Sequence, residues 1–133
     1  MIFIDTGAWV ARFSRRDQYH ERAAGIWSKL RSTRAQIVTS DSVFVETVAL
    51  LARNIGPKPA VEAGRFLRDW KTLTILRALP EDESAALDLL EKFADQSIGY
   101  VDCLSFALIR RYRISAAFSF DRHFELSQVR IIA

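Results

Sequence analysis

Cysteine, proline and glycine are scarce in this sequence, which has one cysteine, three prolines and five glycines among 133 residues. The lone Cys103 cannot form a disulfide within the chain, which excludes a disulfide-stabilised scaffold and favours a reducing compartment. The lack of low-complexity runs and of long linkers excludes a disordered or divided chain. We therefore expect one globular domain over residues 1–133, located in the cytoplasm.

Long hydrophobic runs are also missing. The longest apolar stretches fall far short of the about 20 residues that a membrane-spanning helix needs. The N-terminus lacks the basic start and long apolar core of a signal peptide, so we expect no membrane association. A hydrophobic fraction of 50% is instead enough for one core. A chain of this length buries roughly two-thirds of its unfolded surface without a disulfide or a structural metal.

Lysine is rare as well. Arginine accounts for 15 of the 19 basic residues, and the net charge is +3. The planar guanidinium group matches phosphate, so this bias is compatible with nucleic-acid binding. A high genomic GC content produces the same bias, and composition alone leaves both explanations open.

Short apolar runs alternate with stretches of helical periodicity along the whole chain. The runs that predict strands cover residues 2–4, 37–39, 73–76, 116–120 and 129–132. Between them lie helical patterns near residues 7–13, 18–33, 41–54, 57–70, 80–93 and 100–112, with a short helical turn near 122–126. The helix after Pro57 carries an apolar stripe that includes Val61, Phe66 and Trp70. Strands separated by helices predict an α/β fold with a mainly parallel sheet of about five strands, covered on both faces.

Four of the acidic residues lie in apolar surroundings. Asp5 ends the first strand, Asp121 follows the fourth, Glu46 interrupts an apolar helix, and Asp102 lies near the start of another. An isolated buried carboxylate costs several kcal/mol unless it is paired or bound to metal. Open α/β sheets place ligands at the carboxyl ends of their strands, where these acids would meet. A divalent cation would compensate their mutual repulsion.

Each acid also has a purely structural explanation. Asp5, Asp102 and Asp121 each fit the start of a helix, where a carboxylate caps the backbone or favours the helix dipole. Glu46 lies inside its helix, and its alternative is an ion pair with an arginine such as Arg12 or Arg53. Carboxylates without histidine or cysteine in zinc spacing favour Mg²⁺ or Mn²⁺ over Zn²⁺. Cys103 is most simply a small buried hydrophobic residue.

Four sequence stretches resemble the PIN domains and, among them, the VapC-type toxins of prokaryotic toxin–antitoxin pairs. The stretches are Ile2-Phe-Ile-Asp-Thr6, Thr39-Ser-Asp-Ser-Val-Phe-Val-Glu-Thr47, Tyr100-Val-Asp-Cys-Leu-Ser-Phe-Ala107 and Phe118-Ser-Phe-Asp-Arg-His-Phe124. Their order and spacing match the family over the whole chain. The resemblance implies a three-layer α/β/α sandwich and a metal-dependent endoribonuclease that leaves a 5′-phosphate and a 3′-hydroxyl.

The resemblance also implies roles for individual residues. Asp5, Glu46, Asp102 and Asp121 would be the catalytic residues and the ligands of Mg²⁺ or Mn²⁺. Thr6 and Ser119 would be positioning residues, and Asp95 is a candidate for the outer shell of the site. A VapC-type toxin further implies an RNA substrate, a small cognate antitoxin protein and a homodimer.

An acidic pocket in a basic body suits RNA. Removing four negative charges from a net charge of +3 leaves the rest of the chain at +7, which would attract phosphates. The candidate phosphate contacts are Arg12, Arg15, Arg16, Arg110, Arg111 and Arg113.

Two other interpretations fit parts of the sequence. The tetrapeptide Asp5-Thr6-Gly7-Ala8 also occurs in retroviral-type aspartic proteases, but those enzymes are β-rich, and this tetrapeptide leads into helices. A non-catalytic RNA-binding or interaction module on the same fold remains the alternative, and it predicts RNA binding without any need for divalent metal.

Overall fold

The computed structural model describes residues 1–133 and contains one five-stranded sheet. The strands are Ile2–Ile4 (β1), Ile37–Ser40 (β2), Thr74–Leu76 (β3), Ala116–Phe118 (β4) and Arg130–Ile132 (β5). Their order is β3-β2-β1-β4-β5, and every neighbouring pair is parallel. All five predicted strands are present, but β4 ends at Phe118 and not at Phe120.

Six α-helices connect the strands and cover the sheet. They are Thr6–Phe13 (α1), His20–Ser32 (α2), Asp41–Asn54 (α3), Pro57–Asp69 (α4), Pro80–Lys92 (α5) and Tyr100–Arg111 (α6). Two 3₁₀ helices cover Ala94–Gln96 and Arg122–Ser127. The predicted three-layer α/β/α sandwich with a parallel sheet is confirmed. No helix has the length and apolar character needed to cross a membrane.

Helix boundaries follow from local chemistry. The Ser40 hydroxyl accepts a hydrogen bond from the Val43 amide at 3.1 Å, which fixes the predicted start of α3. At the other end of two helices, α2 and α6, an arginine takes the left-handed conformation, with φ of 52° at both Arg34 and Arg113. The Ile114 amide donates a hydrogen bond to the Ile109 carbonyl, and the Arg113 amide donates one to the Arg110 carbonyl. This is a Schellman motif with arginine where glycine is the usual residue.

An aromatic cluster and a buried hydroxyl fix α1 against the sheet. Trp9 is fully buried and stacks on Trp27 with ring centroids 4.8 Å apart. Its indole Nε1 donates to the Thr39 hydroxyl at 3.1 Å, and that hydroxyl donates to the Ile4 carbonyl at 2.8 Å. These bonds tie α1 to both β1 and β2. They hold the first turn of α1, next to Asp5, at the carboxyl end of the sheet.

Candidate functional site

The carboxyl ends of β1 and β4 place Asp5 beside Ser119. The two strands pair in parallel with Ile4 opposite Phe118, so the residues that follow are neighbours. The Asp5 amide donates to the Phe118 carbonyl at 3.0 Å. The Ser119 hydroxyl donates to Asp5 Oδ2 at 2.8 Å and accepts a hydrogen bond from the Asp121 amide at 3.1 Å. Ser119 therefore orients one acid of the site directly and another through its backbone.

One cleft of about 560 Å³ brings together all four of the acids singled out in the sequence. Asp5, Glu46, Asp102 and Asp121 all line it, although they are separated by up to 116 positions along the chain. Asp5 comes from the end of β1, Glu46 from α3, Asp102 from the first turn of α6, and Asp121 from the segment after β4. The topology makes them neighbours because β1 and β4 are adjacent and α3 packs against both α1 and α6.

The acids influence one another electrostatically. Burial first, and then the negative charge of Asp102, raise the pKa of Asp5 from 3.8 to about 7, although the Ser119 hydrogen bond opposes the rise. Burial first, and then the negative charges of Asp121 and Glu46, raise the pKa of Asp102 from 3.8 to about 6. Carboxyl groups that hold protons near neutral pH are typical of functional sites.

The structural alternatives for these acids have different outcomes. Asp5 occupies the N-cap position of α1 but makes no side-chain capping bond, so capping does not explain it. The alternative for Glu46 is also wrong, because neither ion pair of the chain involves Glu46. Asp121 does cap, since its Oδ1 accepts a hydrogen bond from the His123 amide at 2.9 Å. The same oxygen lies 2.8 Å from His123 Nδ1, so histidine holds this acid from its outer side.

The donor chemistry of the cleft fits a hard divalent cation that retains water. All four acids offer carboxylate oxygens, the ligands that Mg²⁺ and Mn²⁺ prefer. The buried Thr6 hydroxyl also lines the cleft and has no hydrogen-bond partner within the protein. The spacing is nevertheless too wide for an all-protein cage, because no three acidic, histidine or cysteine side chains are close enough together to hold an ion. Mg²⁺ is usually bound by one or two carboxylates and several waters, which suits this spacing.

Other residues named from the sequence lie in different places. Asp95 is exposed on the 3₁₀ helix Ala94–Gln96 and does not line the cleft. Arg111 is not a free phosphate contact, because its Nε and Nη2 bond the two oxygens of buried Asp82, each at 2.8 Å. Arg12 lies over Trp27 on the far side of α1 from the acids. Burial raises the pKa of Cys103, which fits a buried thiol and not a nucleophile.

The cleft also contains residues that the sequence analysis missed. Asp17 lines it and accepts a hydrogen bond from the Tyr19 amide at 2.8 Å, which shapes the loop between α1 and α2. Tyr19 stacks on Phe120 with ring centroids 4.4 Å apart and forms part of the same wall. No spacing signal marks Asp17, since it lies in an irregular loop that only the tertiary structure brings to the cleft.

Comparisons with known proteins agree with this geometry. Residues 2–128 match the PIN domain family. The chain is 32% identical over 124 residues to the 23S rRNA-specific endonuclease VapC20 of Mycobacterium tuberculosis, which covers 93% of this chain and 92% of that protein. The crystal structure of VapC20, a toxin that cleaves the sarcin-ricin loop, superposes with a TM-score of 0.86 over 97% of this chain and 96% of that one, at 28% identity.

A more distant structure shares the fold. FitAcB from Neisseria gonorrhoeae superposes with a TM-score of 0.67 over 100% of this chain and 97% of that chain, at 14% identity. The match over nearly the whole sequence, together with the identity to VapC20, establishes the relationship. The chain belongs to the PIN-domain family and, within it, to the VapC type.

Proposed function

We propose that this protein is a metal-dependent endoribonuclease and the toxin of a toxin–antitoxin pair. The observation that carries the proposal is the cleft that Asp5, Glu46, Asp102 and Asp121 all line, where burial and neighbouring negative charges raise the pKa of Asp5 and Asp102. The similarity of the chain to a 23S rRNA-specific endonuclease, which extends over 93% of its length, supports the same activity.

One or two of the acids would hold Mg²⁺ or Mn²⁺ directly, and the others would hold it through bound water. When bound, the ion supplies Lewis acidity and a nucleophilic water for attack on a phosphodiester. Ser119 fixes Asp5 in the floor of the cleft, and His123 fixes Asp121 at its more open side, where 40% of the Asp121 side chain is exposed. Asp102 and Glu46 face them from α6 and α3. The Thr6 hydroxyl, which has no protein partner, would position a water molecule.

The surroundings of the cleft suit an RNA backbone. Arg15 and Arg16 are exposed in the loop between α1 and α2, whose next three residues line the cleft. They would attract phosphates towards the acids and hold the strand beside them. We expect cleavage to leave a 5′-phosphate and a 3′-hydroxyl, and the sarcin-ricin loop of 23S rRNA is the first substrate to test, since VapC20 cleaves it.

The remaining parts of the proposal concern partners and location. A small antitoxin protein would inhibit the enzyme by inserting a basic side chain among the acids. We also propose a homodimer in the cytoplasm. Size-exclusion chromatography with light scattering tests the dimer. Expression from an inducible promoter tests toxicity, with growth arrest expected and relief by the neighbouring small open reading frame.

A cleavage assay tests the proposed activity. Purified protein is incubated with total RNA and with a sarcin-ricin stem-loop, in Mg²⁺ or Mn²⁺ and in EDTA. We expect cleavage only with metal, and its loss in Asp5→Asn and Asp102→Asn. The matched control is Asp88→Asn on the exposed face of α5, and exposed Asp95→Asn should also keep activity. Cleavage that persists in Asp5→Asn would indicate a contaminating nuclease. Metal-independent RNA binding without cleavage would favour the non-catalytic module.

A further inference from the structure

A second and larger cavity, of about 1080 Å³, lies beside α1 on the side away from the acids. The end of α1, one face of α2 and the end of α4 form its walls. Its main side chains are Arg12, Trp27, Arg31, Arg34, Phe66 and Trp70. No aspartate or glutamate lines it. The cavity is therefore aromatic and cationic, and it has no role in the site described above.

Arg12 is the unusual group in this cavity. Its guanidinium carbon lies 4.9 Å from the ring centroid of Trp27, 5.4 Å from that of Trp70 and 5.6 Å from that of Phe66. Neither ion pair of the chain includes it. Burial and the nearby charge of Arg31 lower the pKa of Arg12, so the fold holds two cations together without an anion. An anionic ligand would relieve that repulsion.

The aromatic wall suits a planar ligand as well as an anion. Trp27 is buried and contacts both the Trp9 ring and the Arg12 guanidinium, and its indole Nε1 has no hydrogen-bond partner. Phe66 is 46% exposed at the cavity, although its place in the apolar stripe of α4 predicts burial. Flat arginine and aromatic surfaces beside free cations are what proteins use to bind unpaired RNA bases.

The cavity and the acidic cleft adjoin along one segment of the chain. Val10 and Tyr19 line the cleft, whereas Arg12 and His20 line the cavity. The loop that separates them carries Arg15, which is exposed together with its neighbour Arg16. An RNA strand that runs from the cleft to the cavity over this loop would pass Arg15 and Arg16.

We propose that this cavity binds an unpaired nucleotide of the RNA substrate, its base against Arg12 and Phe66 and its phosphate held by Arg31 and Arg34. The proposal rests on the proposed ribonuclease function and adds a subsite to it. A volume of about 1080 Å³ is just above the usual range of ligand pockets, so a base with its sugar and phosphate fits. An acidic peptide would use the cations but leave the exposed Phe66 ring unused, so the nucleotide accounts for more of the cavity.

Intrinsic fluorescence gives a direct test, because the three tryptophans all belong to this cavity or contact it. Trp27 and Trp70 line it, and Trp9 stacks on Trp27. A single-stranded RNA of about 12 nucleotides is titrated into the protein in EDTA, a length within the usual range of single-strand sites. We expect quenching of the tryptophan emission, with an affinity that falls as salt rises.

Variants locate the binding. Arg31→Gln with Arg34→Gln should weaken RNA binding by about tenfold and lower the salt slope by about 1.4, or about 0.7 for each phosphate that is no longer neutralised. Arg12 is left in place, because it covers the aromatic cluster and its removal risks unfolding. Ser28→Glu adds a negative charge to the exposed wall, with Ser28→Gln as its neutral match. Arg130→Gln, on the edge strand β5, is the control for the removal of positive charge.

The outcomes separate this subsite from the proposed function. Unchanged RNA affinity and quenching in both the arginine pair variant and Ser28→Glu would overturn the subsite, even if the protein cleaves RNA. Absence of cleavage with metal would instead overturn the proposed function, whatever the fluorescence shows. Quenching by a glutamate-rich peptide and not by RNA would make the cavity a protein-binding site and the proposal wrong.

Discussion

Replacing Asp5 by asparagine removes a negative charge from a residue that is only 5% exposed. The exchange keeps the shape of the side chain, and the amide oxygen of asparagine can still accept the 2.8 Å hydrogen bond from Ser119. The variant therefore isolates the electrostatic cost of holding this group in the fold. That cost should depend on pH, because the pKa of Asp5 is raised from 3.8 to about 7.

The direction of the effect follows from proton linkage. The native state binds the Asp5 proton more tightly than the unfolded state, so the group costs nothing below about pH 4. Stability is then lost as the pH rises towards 7, and the full cost is present above it. At about 1.4 kcal/mol for each pH unit, the cost reaches roughly 4 kcal/mol at pH 8. Asparagine has no such cost, so Asp5→Asn should be more stable than wild type by up to that amount.

Urea unfolding in EDTA at several pH values between 4 and 8 measures this difference. We expect the two proteins to be equally stable at the acid end and to diverge as the pH rises. Millimolar Mg²⁺ at pH 8 should stabilise wild type more than the variant, because the cation offsets the repulsion among the acids. Asp88→Asn, on an exposed helix face, should show neither effect. A difference between wild type and Asp5→Asn that is constant with pH would refute the reasoning.

Three further predictions concern the scaffold. Arg113→Gly should raise the free energy of unfolding by about 1 kcal/mol, since glycine adopts the left-handed conformation at the end of α6 without steric cost; no gain in thermal denaturation would contradict it. Thr39→Val should cost about 2 kcal/mol in urea unfolding, because it leaves the buried Trp9 indole without an acceptor; a neutral result would contradict this assignment. Asp82→Asn should lower the melting temperature at pH 7, and the difference in melting temperature from wild type should narrow in acid. Burial alone would raise the pKa of Asp82, but the bond with Arg111 outweighs it, lowers the pKa and stabilises the charged form. A gap that is independent of pH would count against that ion pair.

The sheet was predictable because local pattern and tertiary environment agree there. Short apolar runs between helical patterns indicate buried parallel strands, and all five occur where the sequence predicts them. The predicted end of β4 was wrong because Phe120 continues the apolar run but turns away to stack on Tyr19. An apolar run in the sequence cannot distinguish a residue of a strand from an apolar residue that packs in the following loop.

Partnerships between distant residues were less predictable. Arg111 and Arg12 both appear in the sequence as free cations near the ends of helices. One instead bonds Asp82, which lies 29 positions away, and the other lies over Trp27 and Trp70. The prediction for Phe66 was wrong for the same reason. Its position in the helical periodicity of α4 predicts burial, but the side chain is exposed at the second cavity. Such contacts depend on which helices meet, and no local spacing records that.

The sequence by itself determined the element order and the parallel sheet and singled out four acids in apolar surroundings, because periodicity and charge within an apolar run are properties of short segments. Only the tertiary structure decided that Asp5, Glu46, Asp102 and Asp121 share one cleft, that His123 holds one of them, and that an arginine-lined aromatic cavity lies on the other side of α1. The physical reason is chain topology: the crossover connections bring the ends of β1 and β4 side by side and pack α3 against α6. The distances between side chains across those contacts depend on how the whole core packs, and no single segment of the sequence sets them.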